Sequence, residues 1–369
     1  MSAFSTISSK YNPAVMTPSF AEPGALTAKE NPLGWRLQQT MLRIKDPKVT
    51  IPYYENNYGF QLLHKYDFPE WKFSLYFLAI LDPQRAKTWP AAGSVEAGNE
   101  LWKMGYGEAT LELTHNWGTE DDDSYSVNNG NVEPHRGFGH IAVMTPDVYA
   151  ACAELEANGV RFQKKPDEGR MKGLAFALDP DGYWIEVISR SPDSVVPPAY
   201  KYSLAQTMFR IRDPKKSLEF YTKHLNMTLL RECHFGPGSG DFSLYFLATL
   251  PPGTAVPAAL SDKSSEYIRR MFPQVLELTH NHGTELESSN FRGYHNGNDE
   301  DLLQDPPMKR GFGHVGFLVN DLAEACSYLD SNGVAFKKRP EDGLMRHLAF
   351  AYDPDGYAVE VIQAGTEGV

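Results

Sequence analysis

Asp179-Pro-Asp-Gly-Tyr-Trp-Ile-Glu186 recurs later in the chain as Asp353-Pro-Asp-Gly-Tyr-Ala-Val-Glu360. Asp-Pro-Asp-Gly reads as a tight turn, with Pro presetting φ and Gly free to take φ > 0. The residues after it read as a strand. Alternation puts Tyr183, Ile185 and Val187 on one face and Trp184, Glu186 and Ile188 on the other. A carboxylate therefore sits in the middle of a core-quality strand, twice over. Burying it is costly unless it is paired, hydrogen-bonded or bound to a cation.

The echo extends in both directions. Gln39-Thr-Met-Leu-Arg43 returns as Gln206-Thr-Met-Phe-Arg210, Phe73-Ser-Leu-Tyr-Phe-Leu-Ala79 as Phe242 to Ala248, Leu111-Glu-Leu-Thr-His-Asn116 as Leu276 to Asn281, and Arg136-Gly-Phe-Gly-His140 as Arg310 to His314. The chain is a duplication. Its expected divisions are a mobile arm over residues 1–32, rich in Ser, Thr, Pro and Ala; a first domain, 33–189; an extended proline-bearing linker, 190–202; a second domain, 203–363; and a tail, 364–369. The 369 residues suffice for two domains with cores of their own.

Composition narrows the function. Asp and Glu outnumber Lys and Arg, 47 to 35, for a formal charge of −12, which argues against a nucleic-acid partner. No run approaches the roughly 18 apolar residues of a membrane span, so no membrane partner is expected. The cysteines, Cys152, Cys233 and Cys326, are scattered and odd in number, which points away from a disulfide framework and towards a reducing, cytoplasmic setting.

Within each copy a fainter order repeats. Strand 38–44, a helix opened by Asp46-Pro47, and strands near 60–66, 73–80 and 109–115 make one β-α-β-β-β unit. A strand at 141–144, a helix at 148–155 capped by Thr145 with Pro146 at its first position, and strands at 160–163, 174–178 and 183–188 make the next. The fold class is α+β, with four βαβββ modules in tandem.

Even spacing then sorts the polar residues. Gln39 shares a face with Arg43, Glu112 with Asn116, and Arg136 with His140. Of 11 histidines only His140/His314 and His115/His280 recur at equivalent places. His115, three residues from Glu112, faces away from it and receives a structural role. The remaining set, Gln39, Glu112, His140 and Glu186 with counterparts Gln206, Glu277, His314 and Glu360, offers nitrogen and oxygen donors suited to zinc, nickel, cobalt or manganese. Arg43, Arg136, Arg210 and Arg310 read either as surface ion pairs or as partners for a carboxylate-bearing substrate.

Together these motifs resemble glyoxalase I, the lactoylglutathione lyase family of the vicinal oxygen chelate superfamily, over about 35–188 and 203–363. The resemblance implies tandem glyoxalase-like domains with cupped mixed sheets, in the fused monomeric form. It implies two metal sites, each joining the front half of one copy to the back half of the other: Gln39 and Glu112 with His314 and Glu360, and Gln206 and Glu277 with His140 and Glu186. The cofactor is then a divalent metal, Zn2+ or else Ni2+, two per chain, with glutathione as cosubstrate. Arg43, Asn116, Arg310 and Met345 would hold glutathione in the first site, and Arg210, Asn281, Arg136, Arg170 and Met171 in the second. The implied reaction isomerises the methylglyoxal–glutathione hemithioacetal to S-D-lactoylglutathione through an enediolate, in methylglyoxal detoxification. Glu360 and Glu186 would be the bases, assisted by Glu112 and Glu277.

Two other readings compete. An extradiol-type oxygenase needs two histidines and one carboxylate on iron, and Gln39 and Gln206 stand where the second histidine is required. A module that only sequesters a small molecule has no use for a fourfold ligand set made twice. The copies also differ: Arg170 corresponds to Leu344, and Trp184 to Ala358. The first difference predicts tighter glutathione binding at the Glu186 site, although Arg346 lies two residues from Leu344.

Overall fold

Four runs of one strand, a helix and three strands follow each other along the chain. In this computed structural model, residues 19–196, 199–236, 238–288, 290–343 and 345–366 are described. The first run is Arg36–Ile44, helix Pro47–Tyr58, then Gln61–Phe68, Phe73–Ala79 and Thr110–Asn116. The second is Phe138–Thr145, Val148–Ala157, Arg161–Lys164, Ala175–Leu178 and Trp184–Ser189. The third is Ser203–Ile211, Pro214–Glu219, Thr228–Phe235, Phe242–Ala248 and Val275–Asn281, and the fourth is Phe312–Val319, Leu322–Ser331, Phe336–Lys338, Leu348–Tyr352 and Ala358–Gln363.

Local chemistry sets the helix ends. Asp46 accepts from the Lys48 amide with Pro47 in the first turn, and Gly59, at φ 73, closes the helix. The expected Thr145 cap is corrected. Asp147 caps the Val148–Ala157 helix by accepting from the Ala150 amide, while Thr145 still belongs to the preceding strand.

The four runs assemble into two eight-stranded mixed sheets. In one, Phe312–Val319 pairs antiparallel with Arg36–Ile44, placing Gly316 opposite Gln39 and His314 opposite Met41. In the other, Phe138–Thr145 lies beside Ser203–Ile211. Each sheet thus takes its front module from one sequence copy and its back module from the other. A lone four-strand module would leave the outer edge of Arg36–Ile44 unpaired, and pairing with 312–319 satisfies it.

The compact units therefore do not coincide with the expected division at 190–202. One holds 31–138, 180–183 and 295 onward; the other holds the chain up to 30, 139–179 and 184–294. Below, these are called the Glu360 unit and the Glu186 unit.

The expected mobile arm is corrected from residue 19 onward; residues 1–18 lie outside the described residues. Leu26–Thr27 pairs with Ala255–Val256, and Ala28 exchanges backbone hydrogen bonds with Gly253 and Thr254. The Phe20 and Ala21 amides and the Ser19 hydroxyl all donate to the buried Glu232 carboxylate. The connector 190–202 is likewise held, by bonds from the Ser191 and Val195 amides to Arg269 and Arg270 carbonyls. In the tail, Ala364 and Gly365 donate to Val319 and Trp102; residues 367–369 lie outside the described residues.

The cysteines are free thiols. Burial pushes Cys152 and Cys326 up to about 11, against the weaker pull of Lys164 and Arg339 respectively. A pKa two units above the ordinary thiol cuts the thiolate fraction at pH 8 about 100-fold. Native protein should accordingly be alkylated by iodoacetamide at these two positions at least that much more slowly than protein in urea, which peptide mass spectrometry over a time course measures.

Candidate metal centres

Gln39 and Gln206 come from the first strand of a front module, Glu112 and Glu277 from its last strand, His314 and His140 from the first strand of a back module, and Glu360 and Glu186 from its last. The register fixes which side chains meet. Gln39 pairs with Thr110 in parallel, so Glu112, two residues on, shares its face. His314 pairs with Ala358, two residues before Glu360. Gly316, opposite Gln39, has no side chain for a reason of space: a Cβ there would lie 2.4 Å from Gln39 Cγ.

In the Glu360 unit four donors converge. The Gln39 amide nitrogen donates to Glu112 Oε2 at 2.7 Å and to Glu360 Oε2 at 2.6 Å. His314 Nε2 lies 3.1 Å from each carboxylate oxygen. Exposure is 1% for Gln39, 3% for Glu112, 5% for His314 and 6% for Glu360. In the Glu186 unit the Gln206 amide donates to Glu186 Oε2 at 3.0 Å and also to Glu277 Oε2, with His140 Nε2 3.4 and 3.6 Å from the two carboxylates. These are the two groups of metal-capable side chains among the described residues.

The electrostatics of each cluster suit a cation. Burial pushes Glu112 and Glu277 above the ordinary carboxylate range, against the pull of the histidines. Burial would depress the imidazoles, but the paired glutamates override it and hold His314 and His140 up at about 9. Even with the histidine charged, two carboxylates face it in a dry site, and removing them from water costs several kcal/mol per ion unless fully compensated. Gln39 Oε1 is buried with no hydrogen-bond partner. An amide oxygen, an imidazole nitrogen and two carboxylates within reach of one point fit a divalent ion of borderline hardness.

The expected substrate contacts divide. In the Glu360 unit, Arg43 bonds the carbonyls of Gly297, Gly311 and Phe312 and the Asn298 side chain, so it staples the 297–312 segment. Asn116 is half-buried at the strand end, Met345 packs on the apolar cluster of this unit, and Arg310 is exposed beside Glu300. Arg136 also belongs to the Glu360 unit, where it pairs with Glu133, rather than to the unit of Gln206. In the Glu186 unit Arg210 is buried, Asn281 donates to Tyr294, Met171 is exposed, and Arg170 donates to the Gly238 carbonyl. Leu344 lies outside the described residues, and Arg346 is exposed. His115 and His280 pair with Glu120 and Glu285, away from the clusters.

Sequence periodicity missed the aromatic ring behind each histidine. Phe350 stands 5.2 Å from His314 and Phe176 5.4 Å from His140. Each is paired with the site glutamate, Phe350 with Glu360 and Phe176 with Glu186. The signal was available in Ala-Phe-Ala at 175–177 and 349–351, one turn upstream of each glutamate.

A sequence model of the Glyoxalase/Bleomycin resistance protein/Dioxygenase superfamily matches residues 36–187 and 203–361. The chain is 41% identical over 334 residues to glyoxalase I of Saccharomyces cerevisiae, covering 89% of this chain and 92% of that protein. It is 40% identical over 329 residues to lactoylglutathione lyase of Schizosaccharomyces pombe, covering 89% and 96%. The crystal structure of glyoxalase I from Zea mays matches with a TM-score of 0.60 at 25% identity, over 89% of this chain and 92% of that one.

Proposed function

The chain belongs to the Glyoxalase/Bleomycin resistance protein/Dioxygenase superfamily, and we propose from that premise that its two buried clusters each hold a divalent metal ion and work as separate active sites. Its activity is that of a lactoylglutathione lyase: the hemithioacetal of methylglyoxal and glutathione is isomerised to S-D-lactoylglutathione. The convergence of Gln39, Glu112, His314 and Glu360, repeated by Gln206, Glu277, His140 and Glu186, carries the two-site reading.

Zinc is the metal assigned, with nickel as the alternative, two per chain. When bound, the ion supplies Lewis acidity that stabilises negative charge developing on the substrate's adjacent oxygens. The protein does the rest. Glu360 and Glu186 take the proton from one substrate carbon and return it to the next, which needs a carboxylate held beside the reacting atoms in a site closed to water. Glu112 and Glu277, raised by burial, are suited to hold a proton on the opposite side. Arg43, Asn116, Arg310 and Met345, and in the second site Arg210, Asn281, Arg170 and Met171, are assigned to glutathione; Arg136, which lies in the Glu360 unit, is withdrawn from the second site. Arg43 does so while anchored to the 297–312 backbone. A monomer in the cytoplasm completes the assignment; no described helix is long and apolar enough to cross a membrane.

Thioester formation, followed by ultraviolet absorbance with methylglyoxal and glutathione, and metal content by atomic absorption test this reading. About two equivalents of zinc or nickel per chain are expected, and iron alone would overturn it. The exposed Arg170 beside Gly238, against the Leu344 of the other copy, predicts a lower KM for the Glu186 site. Glu360→Gln should therefore show a KM several-fold below that of Glu186→Gln in initial-rate kinetics, and identical values would refute the difference.

A further inference from the structure

Arg43, assigned above to glutathione, is held by a turn that a single imidazole nitrogen closes. Of its four acceptors, the Gly297 carbonyl and the Asn298 side-chain oxygen belong to the segment His295-Asn-Gly-Asn298, and the Gly311 and Phe312 carbonyls to the entry of the 312–319 strand. The turn is tied to that strand in its own right. The Gly311 amide donates to the Gly297 carbonyl at 2.9 Å, and the Asn298 side chain to the Gly313 carbonyl at 2.7 Å. Gly297, at φ 81, lies so close to the strand that a Cβ would stand 2.1 Å from the Phe312 carbonyl oxygen.

His295 closes the turn. The Gly297 amide donates to His295 Nδ1 at 3.0 Å, and the Asn128 side-chain nitrogen donates to the same atom at 3.2 Å. The other hydrogen of that Asn128 nitrogen goes to the His135 carbonyl at 3.0 Å, which fixes the orientation of the amide. A ring nitrogen that accepts carries no proton, so His295 is the neutral tautomer with its hydrogen on Nε2. That Nε2 is buried without a hydrogen-bond partner, and the His135 ring, whose Nε2 is likewise without one, stands 5.6 Å away. The first copy shows what the position requires. Its counterpart is Asn128-Asn-Gly-Asn131, where Asn128 Oδ1 accepts from the Gly130 amide at 2.9 Å. One copy closes the turn with an amide oxygen, which does not titrate near neutrality, and the other with an imidazole, which does.

We propose that His295 is a positioning residue for Arg43, a titratable latch whose protonation opens the 295–298 turn and frees the arginine from two of its four anchors. The inference rests on the assignment of Arg43 to glutathione. A proton on Nδ1 would set three N–H groups against one another, so charging the ring sacrifices both hydrogen bonds that close the turn. Burial, helped by His135 and opposed by Asp299, holds the His295 imidazole below its ordinary 6.5. Around Arg43 stand Arg310 and Lys337 on the cationic side and Glu112, Tyr125 and Tyr183 on the other, with Glu300 paired to Arg310. Because the folded chain keeps His295 neutral, the latch is closed above pH 6.5 and gives way as pH falls below it. A loosened Arg43 keeps its charge but no longer presents a fixed fork to a carboxylate, so the loss falls on substrate binding.

The test isolates the Glu360 site and exchanges the latch. Glu186→Gln leaves the Glu360 cluster intact, and adding His295→Asn installs the closure that the first copy already uses. In metal-loaded Glu186→Gln, KM should rise about 10-fold between pH 7.5 and pH 5.5, more than kcat falls, and His295→Asn should remove most of that rise. Calorimetry with S-methylglutathione on the same two proteins should show the same loss of affinity and the same rescue. Nitrogen-15 NMR of histidine-labelled protein, with His295 identified by its absence in His295→Asn, should show a ring protonated on Nε2 that stays neutral to lower pH than free histidine. A KM rise of equal size in both variants, or a His295 ring that at pH 7 is charged or carries its proton on Nδ1, would overturn the proposal. If neither protein turns over the methylglyoxal adduct or binds S-methylglutathione, the glutathione reading of Arg43 fails instead, and the nitrogen resonances still decide whether His295 closes the turn.

Discussion

The variant carrying both Glu186→Gln and Glu360→Gln is expected to lose about 1,000-fold in kcat, the contribution of a positioned general base. Each single substitution should leave a large part of wild-type turnover, because the other cluster is untouched in a separate compact unit. Glutamine keeps the shape of glutamate, so the buried strand residues around positions 186 and 360 need not move. What it removes is the ability to accept and return a proton. Glu112 and Glu277 would remain, but in each cluster they stand opposite, across the histidine and glutamine, on the other module. Thioester formation by the three variants, with circular dichroism to confirm folding, measures the effect. A folded double variant working at more than a tenth of the wild-type rate would place the base elsewhere.

How much of this was legible beforehand depends on which interaction placed each residue. Gln39, Glu112, His140 and Glu186 could be picked out because strand alternation acts locally and duplication shows each residue twice. Which module joins which could not be read that way. The pairing of Gly316 with Gln39 spans most of the chain, and periodicity is blind to partners, so only the family resemblance supplied the exchange. Arg43 shows a second limit. Its spacing put it on the face of Gln39, yet its partners besides Asn298 are backbone carbonyls more than 250 positions away, and no side-chain pattern marks a carbonyl. The arm was read as mobile on composition. Residues 19–21 are held by one buried carboxylate, Glu232, in a strand whose first-copy counterpart is Lys65, and 26–28 by backbone pairing with 253–256, neither of which composition records. Asp147 was passed over as a cap because Thr145-Pro146 satisfied the same rule two residues earlier; the strand's own bonding to Thr145 decided against it.

Prolonged chelation, followed by gel filtration, should abolish thioester formation by at least about 1,000-fold and return most of it on adding zinc, since the ion supplies charge stabilisation the side chains cannot. The stripped protein should also acquire a pH dependence that the loaded protein lacks. In the metal-free clusters His314 and His140 are held up at about 9, above their unfolded value of 6.5. A raised histidine contributes stability that is full below pH 6.5 and lost as pH rises through 9. The glutamates act in the same sense: Glu112 and Glu277 are raised by burial, so their folded forms prefer the proton and stability declines as pH climbs above 4.5. With the charge on each imidazole gone, two carboxylates per cluster remain buried with nothing cationic between them. Metal-free protein should therefore melt at progressively lower temperature from pH 7 to pH 10, reflecting a stability loss on the order of a few kcal/mol per cluster. In the loaded protein the imidazoles are already neutral ligands, so these groups should give no such slope. Differential scanning calorimetry of both forms across that range decides the matter, and parallel melting curves would mean that the carboxylates and histidines do not share an ion.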